Sequence, residues 1–324
     1  MIPIADMKLI QIELTNACHL SCANCTRMVG HHARPFMMDL KTVERAIMSL
    51  EGYAGHIGLM GGEPALHPRF SEVLELLRRL IPEKERRELW TAGYKWDEYG
   101  EIIHETFDVE YIAYNDHSDP EVGWHQPLLI AIDEVVEDKK LMWKLIENCW
   151  VQQRWSASMT TKGAFFCEVA AAMDHLFDGP GGWPLEKGWW KRTPEDEDFK
   201  EQVRRYCPSC SACLPMPMIP NNHVDRDWIS PENAKRLETV RSPKYLEGRF
   251  MVVDIENLAD YVRGCDGEPG VERGSLKDFP LWTPWNYRSV VYNAPGEGVL
   301  SAAQVRMMQT GQKGRVKSLS LKSC

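Results

Sequence analysis

Short apolar runs alternate with longer stretches of helical periodicity through the first half of the chain. Apolar residues recur at helical spacing over residues 39–50, where Asp39 is placed to cap the N-terminus, and over residues 68–80, where Pro68 lies near the first turn. The remaining apolar runs predict strands at 8–14, 56–60, 88–91, 109–115 and 128–136. Strands that alternate with helices indicate an α/β fold with a parallel sheet and right-handed crossovers.

The second half of the chain has a different pattern. Residues 155–159 and 164–167 flank a Lys-Gly turn and predict a β-hairpin, after which residues 168–176 predict a helix. Residues 179–192 combine glycine and proline with Trp183, Trp189 and Trp190, a composition typical of an ordered loop. These indole rings either cover a substrate or pack the loop onto the protein.

Composition and charge exclude some classes of function. The chain has 324 residues and a formal net charge of −9, which argues against a nucleic-acid partner. No apolar stretch approaches the roughly 18 residues of a membrane span, and residues 1–6 have no signal-peptide pattern. Ten cysteines in such a chain are expected to be metal ligands and free thiols, in a cytoplasmic protein.

Three of these cysteines, Cys18, Cys22 and Cys25, form a C-x3-C-x2-C motif directly after the first predicted strand. A structural zinc site usually has four ligands, and a disulfide framework has an even number of cysteines. Three thiolates from one loop instead suit a [4Fe–4S] cluster in which one iron remains open to another ligand.

This motif, together with the sequence Gly61-Gly62-Glu63-Pro64 after the second predicted strand, resembles the radical S-adenosylmethionine (SAM) superfamily. The resemblance implies a partial (β/α)6 TIM-like barrel with its chemistry at the carboxyl ends of the strands. It also implies that the open iron binds SAM, and that a reductase such as flavodoxin or ferredoxin supplies electrons. One departure is Asn24, where the family often has an aromatic residue before the third cysteine.

The resemblance assigns Gly61, Gly62, Glu63 and Pro64 to the methionyl end of SAM, with Glu63 helping to hold its amino group. The simpler alternative is an ordinary turn from strand to helix. At the end of the fourth predicted strand, Asn115 and its neighbour Asp116 either hydrogen-bond the ribose of SAM or only end the strand.

Cysteines in the second half resemble the Twitch and SPASM extensions of radical SAM enzymes, which bind an auxiliary cluster. The implied ligands of a second [4Fe–4S] cluster are Cys149, Cys167, Cys207 and Cys210, and Cys213 is an alternative to Cys207. A structural zinc ion held by the same thiolates is the competing interpretation. Cys265 and Cys324 are expected to be free thiols.

The resulting domain prediction is a core over residues 1–148, an auxiliary-cluster domain over 149–265 and an extension over 266–324 with a basic tail at 313–322. The implied reaction is reductive cleavage of SAM to a 5′-deoxyadenosyl radical, which abstracts hydrogen from a small substrate. The outcome is either oxidation or epimerisation, the latter with Cys213 or Cys265 as hydrogen donor.

The expected substrate is carbohydrate-like or nucleotide-linked. Peptide-modifying relatives often have a leader-binding domain before the core, whereas the cysteine loop here begins at residue 18. A ribosomal-peptide maturase and a non-catalytic iron–sulfur or zinc scaffold are the alternative functions.

Overall fold

The computed structural model describes residues 1–115, 124–214, 216, 219–220 and 226–258. The helices in these ranges are α1 (Leu40–Ser49), α2 (Phe70–Leu80), α3 (Trp96–Thr106), α4 (Ile132–Val135), α5 (Lys139–Glu147), α6 (Trp150–Arg154), α7 (Glu168–Leu176), α8 (Glu197–Tyr206), α9 (Pro231–Thr239) and α10 (Pro243–Leu246). The strands are β1 (Leu9–Thr15), β2 (His56–Gly61), β3 (Arg87–Thr91), β4 (Ile112–Tyr114), β5 (Trp124–His125), β6 (Ser156–Thr160), β7 (Gly163–Phe165), β8 (Ile219–Pro220), β9 (Asp227–Ile229) and β10 (Phe250–Val252). None of the described helices combines the length and the apolar character that crossing a membrane requires.

A mixed sheet with the strand order β4-β3-β2-β1-β6-β7 organises the described part of the chain. Strands β1 to β4 and β6 run parallel, and β7 returns antiparallel to β6. The predicted α/β class with a parallel sheet is therefore confirmed. The predicted partial barrel is not confirmed, because β6 pairs directly with β1 instead of following β4 around a barrel.

Most predicted elements agree with the structure to within a few residues. The first four predicted strands correspond to β1–β4, the hairpin to β6 and β7, and the helix at 168–176 to α7. Helix α1 begins after Asp39, whose carboxylate accepts a hydrogen bond from the Thr42 N–H at 3.1 Å. Helix α2 begins at Phe70, two residues after the proline that was expected in its first turn.

The strand predicted at 128–136 is wrong. Residues Ile132–Val135 form the short helix α4, and Leu129 makes only an isolated bridge to Ile229. The apolar residues of this segment, Leu128 among them, are nevertheless buried. A short buried apolar run satisfies a strand and a buried turn of helix equally well, so its periodicity could not distinguish them.

Two apolar cores lie in the described residues. The larger includes both faces of the sheet and its helices, and it continues through the hairpin and α7. The smaller is built from α4, α5 and residues between 214 and 258, with Ile132, Met142 and Trp228 among its members. The proposed division of the chain at residue 148 stays a prediction, although the larger core contains residues from both sides of it.

One face of the central sheet is polar and yet buried. Gln11 and Glu13 on β1 lie on the same face as Ser156 and Ser158 on β6, and each is at most 2% exposed. The Ser158 hydroxyl donates to Glu13 Oε1 at 2.6 Å. Buried polar groups are stable only with hydrogen-bond partners, so this face requires other polar groups against it.

Glu88 on β3 also lies buried and provides a test of this environment. Burial raises the pKa of Glu88 from 4.5 to about 8, and a hydrogen bond from the Trp90 indole opposes the shift. A carboxyl whose pKa is raised by folding stabilises the protein fully below the unfolded-state pKa and loses that contribution as the pH rises through the folded-state pKa.

We therefore expect Glu88→Gln to be more stable than wild type near pH 8, and we expect this difference to shrink toward pH 5. Each kcal/mol gained in the free energy of unfolding should raise the melting temperature by about 2–4 °C. Thermal unfolding across this pH range is the measurement. The exposed carboxyl of Glu75 on α2 supplies the control Glu75→Gln, which should follow the wild-type profile. Parallel profiles for wild type and Glu88→Gln would refute the raised pKa.

Candidate functional site

The two sequence motifs lie beside each other at the carboxyl edge of the sheet. The cysteine motif follows β1, and the glycine motif follows β2, which pairs in parallel with β1. Thr15 and Gly61 are register partners at the ends of these strands. The carboxyl ends of parallel strands meet at one edge of a sheet, which is where α/β proteins place their ligand sites.

Direct backbone contacts hold the two motifs together. The Gly62 N–H donates to the Thr15 carbonyl at 2.7 Å, and the Glu63 N–H donates to the Ala17 carbonyl at 2.8 Å. A Cβ atom on Gly61 would lie 2.0 Å from the Thr15 carbonyl oxygen, and one on Gly62 would lie 2.0 Å from that of Ala17. The close approach that requires these glycines is thus to the backbone leading into the cysteine loop.

The three thiols of the loop are half-buried and electrostatically coupled. Burial raises the pKa of Cys18 and of Cys22 to about 12, and Cys25 adds to both shifts. The Leu20 N–H donates to Cys18 Sγ at 3.4 Å and opposes the shift at that thiol. Converging thiols with an N–H···S hydrogen bond fit the donor set of an iron–sulfur cluster.

Glu63 lies between the cysteine loop and β3. Its side chain is fully buried and accepts hydrogen bonds from the Thr91 hydroxyl at 2.7 Å and from the N–H groups of Ala92 and Ala65 at 2.7 and 3.1 Å. Burial raises its pKa, whereas these hydrogen bonds oppose the rise. A carboxylate has about four acceptor positions, so these three hydrogen bonds leave one of them unused.

The other predicted SAM contacts lie nearby. Pro64 opens a short 3₁₀ turn directly after Glu63 and is buried. The Asn115 N–H donates to the Thr91 carbonyl at 2.9 Å, which places Asn115 at the same edge of the sheet. Asp116 lies outside the described residues. The ligand contacts predicted for these residues stay predictions.

A segment distant in sequence clamps the cysteine loop. The ammonium group of Lys244, which is fully buried, donates to the Cys22 carbonyl at 2.9 Å and to both carboxylate oxygens of Asp227 at 3.1 Å. The Lys244 stem also packs against Gly30, where a Cβ atom would lie 3.0 Å from Lys244 Cε. Arg249 donates to the Ser21 carbonyl at 3.2 Å. Residues 226–258 therefore hold the loop from one side.

The same segment explains the unusual residue before the third cysteine. Asn24 adopts a left-handed backbone conformation with φ of 52°, which asparagine tolerates better than an aromatic residue does. Its N–H donates to Asp227 Oδ1 at 2.6 Å, and its side-chain oxygen accepts from the Trp228 N–H at 2.9 Å. His31 completes the network through hydrogen bonds to Asp227 and to Ser242.

The predicted auxiliary cysteines converge on a second site. One cavity of about 30 Å³ is lined by five thiols, those of Cys149, Cys167, Cys207, Cys210 and Cys213. The rest of its lining is mostly apolar and includes Ile146 on α5 and Val169, Ala170 and Met173 on α7, together with the polar side chain of Gln152. The cavity lies where the two apolar cores meet, because cysteines of this set pack against both. The structure therefore gathers all four predicted ligands and the alternative ligand.

These five thiols share one electrostatic environment. Burial raises the pKa of each, to about 12 for Cys210, and mutual repulsion among the thiolates adds to it at Cys167, Cys207 and Cys213. The Ala212 N–H donates to Cys210 Sγ at 3.3 Å. Cys167 also caps the N-terminus of α7, where the helix dipole favours a thiolate.

Thiols in an apolar setting are the donor chemistry of a soft metal centre and not of a polar ligand. All eight cysteines among the described residues are free thiols. Among those residues, no group of three or more histidine, cysteine or acidic side chains has the arrangement of a metal site. Cys265 and Cys324 lie outside the described residues.

The tryptophan-rich loop packs against β7 and against the end of α1. Trp183, Trp189 and Trp190 are each at most 8% exposed. The backbone of Trp183 exchanges two hydrogen bonds with Ala164 on β7, and the Trp189 indole donates to the hydroxyl of Ser49 at the C-terminal end of α1. The structure therefore supports the packing alternative, because all three rings are buried against the protein.

Several buried charged residues were not anticipated, among them Arg27, Lys244 and Asp227. The signal for some of them is present in the sequence. Strands β1 and β6 read LIQIELT and SASMT, with polar residues at every second position of strands that are buried on both faces. Such alternation indicates buried polar partners but does not say which residues supply them.

No protein-family model matches this chain, and no curated protein resembles it closely enough to count as a relative. Solved structures that resemble it in part include two of BtrN. A crystal structure of BtrN in complex with AdoMet and 2-DOIA has a TM-score of 0.39 and 16% identity, covering 63% of this chain and 88% of that chain. Selenomethionine BtrN in an open conformation has a TM-score of 0.36 and 15% identity, covering 68% and 94%. At these scores the likeness carries no argument about fold or reaction.

Substituting Gly62 tests the contact between the two motifs. We expect Gly62→Ala to push the glycine loop away from Ala17 and to lower the iron bound after anaerobic reconstitution. Gly52→Ala is the control, because that glycine also lies outside the sheet, has φ of 84° and would place its methyl group no closer than 3.7 Å to a neighbouring atom, Trp190 Cζ2. Its backbone strain alone costs about 1–3 kcal/mol. Equal iron binding by both variants would contradict the proposed contact.

Removing one partner of the Lys244–Asp227 pair should leave a buried charge uncompensated. We expect Lys244→Met and Asp227→Asn each to lower the free energy of unfolding by about 3–5 kcal/mol and to speed alkylation of Cys22. Urea unfolding and mass spectrometry of labelled peptides measure the two effects. Lys235→Met breaks the exposed Lys235–Glu232 pair on α9 and should change little. Similar results for all three variants would refute the clamp.

Proposed function

We propose that this protein is a radical SAM enzyme. The observation that supports this most is the pairing of the C-x3-C-x2-C loop with the glycine loop through backbone hydrogen bonds at the carboxyl edge of a parallel sheet. The pairing brings Glu63 close enough to Cys18 to raise the pKa of that thiol. Both halves of a site for a cluster and SAM therefore lie together.

In this proposal Cys18, Cys22 and Cys25 hold a [4Fe–4S] cluster whose fourth iron binds SAM. When bound, and with one electron from a reductase such as flavodoxin or ferredoxin, the cluster and SAM would supply radical chemistry that removes a hydrogen atom from the substrate. The protein positions this chemistry. Glu63 offers its remaining acceptor position to the amino group of SAM, and Asn115 lies at the strand edge within reach of the same ligand.

The second thiol cavity supports a reaction with a net oxidation. Cys149, Cys167, Cys210 and either Cys207 or Cys213 would hold an auxiliary [4Fe–4S] cluster, which supplies a one-electron acceptor that a zinc ion cannot provide. The mostly apolar lining would lower the local dielectric constant around such a cluster. Epimerisation, with a cysteine as hydrogen donor, is less well supported at Cys213, because that residue shares the cavity with the other four.

The buried polar face of the sheet supports a small, hydroxyl-rich substrate. Gln11 on β1 and Glu88 on β3 lie in one row, separated by Gly58 on β2. Among the described residues, Gln11 Nε2 and Glu88 Oε2 have no hydrogen-bond partner. The Gln11 amide donor and the Glu88 carboxyl, which is mostly protonated near neutral pH, lie about two strand spacings apart and would suit the hydroxyl groups of a carbohydrate-like or nucleotide-linked molecule.

Iron, sulfide and zinc analysis with Mössbauer spectroscopy tests the proposal. We expect about eight irons per chain in wild type, about four after Cys18, Cys22 and Cys25 are replaced by Ala, and about four after Cys167 and Cys210 are replaced. The wild type should also cleave SAM reductively, and the triple variant should not.

Replacing the predicted free thiols Cys265 and Cys324 is the control and should leave the iron content unchanged. About four irons and one zinc in wild type, with the zinc lost from the Cys167 and Cys210 variant, would instead indicate a radical SAM core on a zinc-braced domain. Zinc or iron without SAM cleavage would indicate a non-catalytic scaffold.

A further inference from the structure

A buried ion pair lies between the two cysteine sites. Arg27 follows Cys25 by two residues, and Glu168 directly follows Cys167. The Arg27 guanidinium donates to both carboxylate oxygens of Glu168, with Nη1 to Oε1 at 2.9 Å and Nη2 to Oε2 at 3.1 Å. Both side chains are at most 1% exposed. One side-chain contact thus joins the loop of the first site to the helix start at the second.

The surrounding sheet face fixes the geometry of this pair. Arg27 Nε lies 3.3 Å from Glu13 Oε1, and the Ser156 hydroxyl donates to Glu168 Oε2 at 2.6 Å. Gln11 accepts a further hydrogen bond from the guanidinium. A bidentate arginine–carboxylate ion pair with these additional hydrogen-bond partners is both directional and rigid.

Charge is also coupled along this path. Cys25 is among the groups that act electrostatically on Arg27, and the strongest of the attractive interactions on Arg27 is with Glu168. Glu168 in turn adds to the burial-driven rise in the pKa of Cys167. In a water-free interior such interactions are weakly screened.

We propose that the Arg27–Glu168 pair is a positioning link between the two cysteine sites, through which a change of charge or order at one site alters the other. This inference rests on the proposed function, because it treats both cysteine sites as iron–sulfur centres. Its two residues contact neither substrate nor SAM in this proposal and act only through the cysteines beside them.

The signs of the expected effects distinguish this link from a purely structural role. Glu168→Gln removes a negative charge beside Cys167 and leaves Arg27 uncompensated beside Cys25, so the reduction potentials of both centres should rise. Arg27→Met has the opposite effect on both. Each shift should be about tenfold in the reduction equilibrium, or 59 mV for one electron. The double variant removes both charges and should return toward wild type.

Redox titrations followed by electron paramagnetic resonance measure these potentials. Arg87→Met is the matched control. Arg87 is a buried arginine at the N-terminal end of β3, away from both cysteine sites, and it donates to the carbonyls of Ile81 and Thr106. It should lower stability without moving either potential. Arg27→Lys keeps the charge and provides a milder variant should Arg27→Met not fold.

Thiol alkylation of the cluster-free protein tests the link without any metal. Glu168→Gln should speed labelling of Cys25 several-fold beyond the Arg87→Met control, because the uncompensated Arg27 favours the thiolate form of that cysteine. Arg27→Met should slow labelling of Cys167 relative to the same control, because it leaves the Glu168 carboxylate uncompensated beside that thiol. A wild type that binds no iron would refute the proposed function, and these cross-site labelling rates would still decide the link. Effects confined to the cysteine beside each substitution, in labelling or in potential, would overturn it.

Discussion

The rest of the site depends on a close backbone contact that only two glycines, Gly61 and Gly62, permit. Gly61 and Gly62 run against the backbone of Thr15 and Ala17 so closely that a methyl group on either would overlap a carbonyl oxygen. Two N–H groups of the glycine loop then satisfy those carbonyls. The strand pairing of β1 with β2 therefore continues into the loops, and a change in either loop displaces the other.

A long polar loop needs further restraint, and buried cations on two sides provide it. Lys244 holds the loop from the segment at 226–258, and Arg27 anchors its far end to Glu13 and Glu168 on the sheet side. Buried ion pairs contribute little net stability, because desolvation offsets their attraction, but breaking one is costly. Their effect here is to define one position for the three cysteines.

Local patterns in the sequence were sufficient for the two motifs and for most of the predicted elements, apart from the strand at 128–136, but not for the contacts between distant segments. The cap at Asp39, the hairpin and α7 follow from periodicity and local turn residues. The clamp joins residues more than 200 positions apart, such as Cys22 and Lys244, and no local pattern encodes that distance. The placement of β6 is likewise decided by tertiary contacts. This strand could pair with β4 at one edge of the parallel sheet or with β1 at the other, and it pairs with β1, so the predicted barrel order was not confirmed.

In the proposed function, metal binding at the second thiol site would be coupled to folding. Its thiols lie where two apolar cores meet, and burial favours their neutral form. Thiolate ligands must lose their protons, so a cation has to supply the charge that the apolar surroundings lack. Occupancy of this cavity would thus join residues 146–149, the start of α7 and the turn after α8 into one unit. The Arg27–Glu168 pair begins at that helix start, so order gained at the second site extends to the loop of the first.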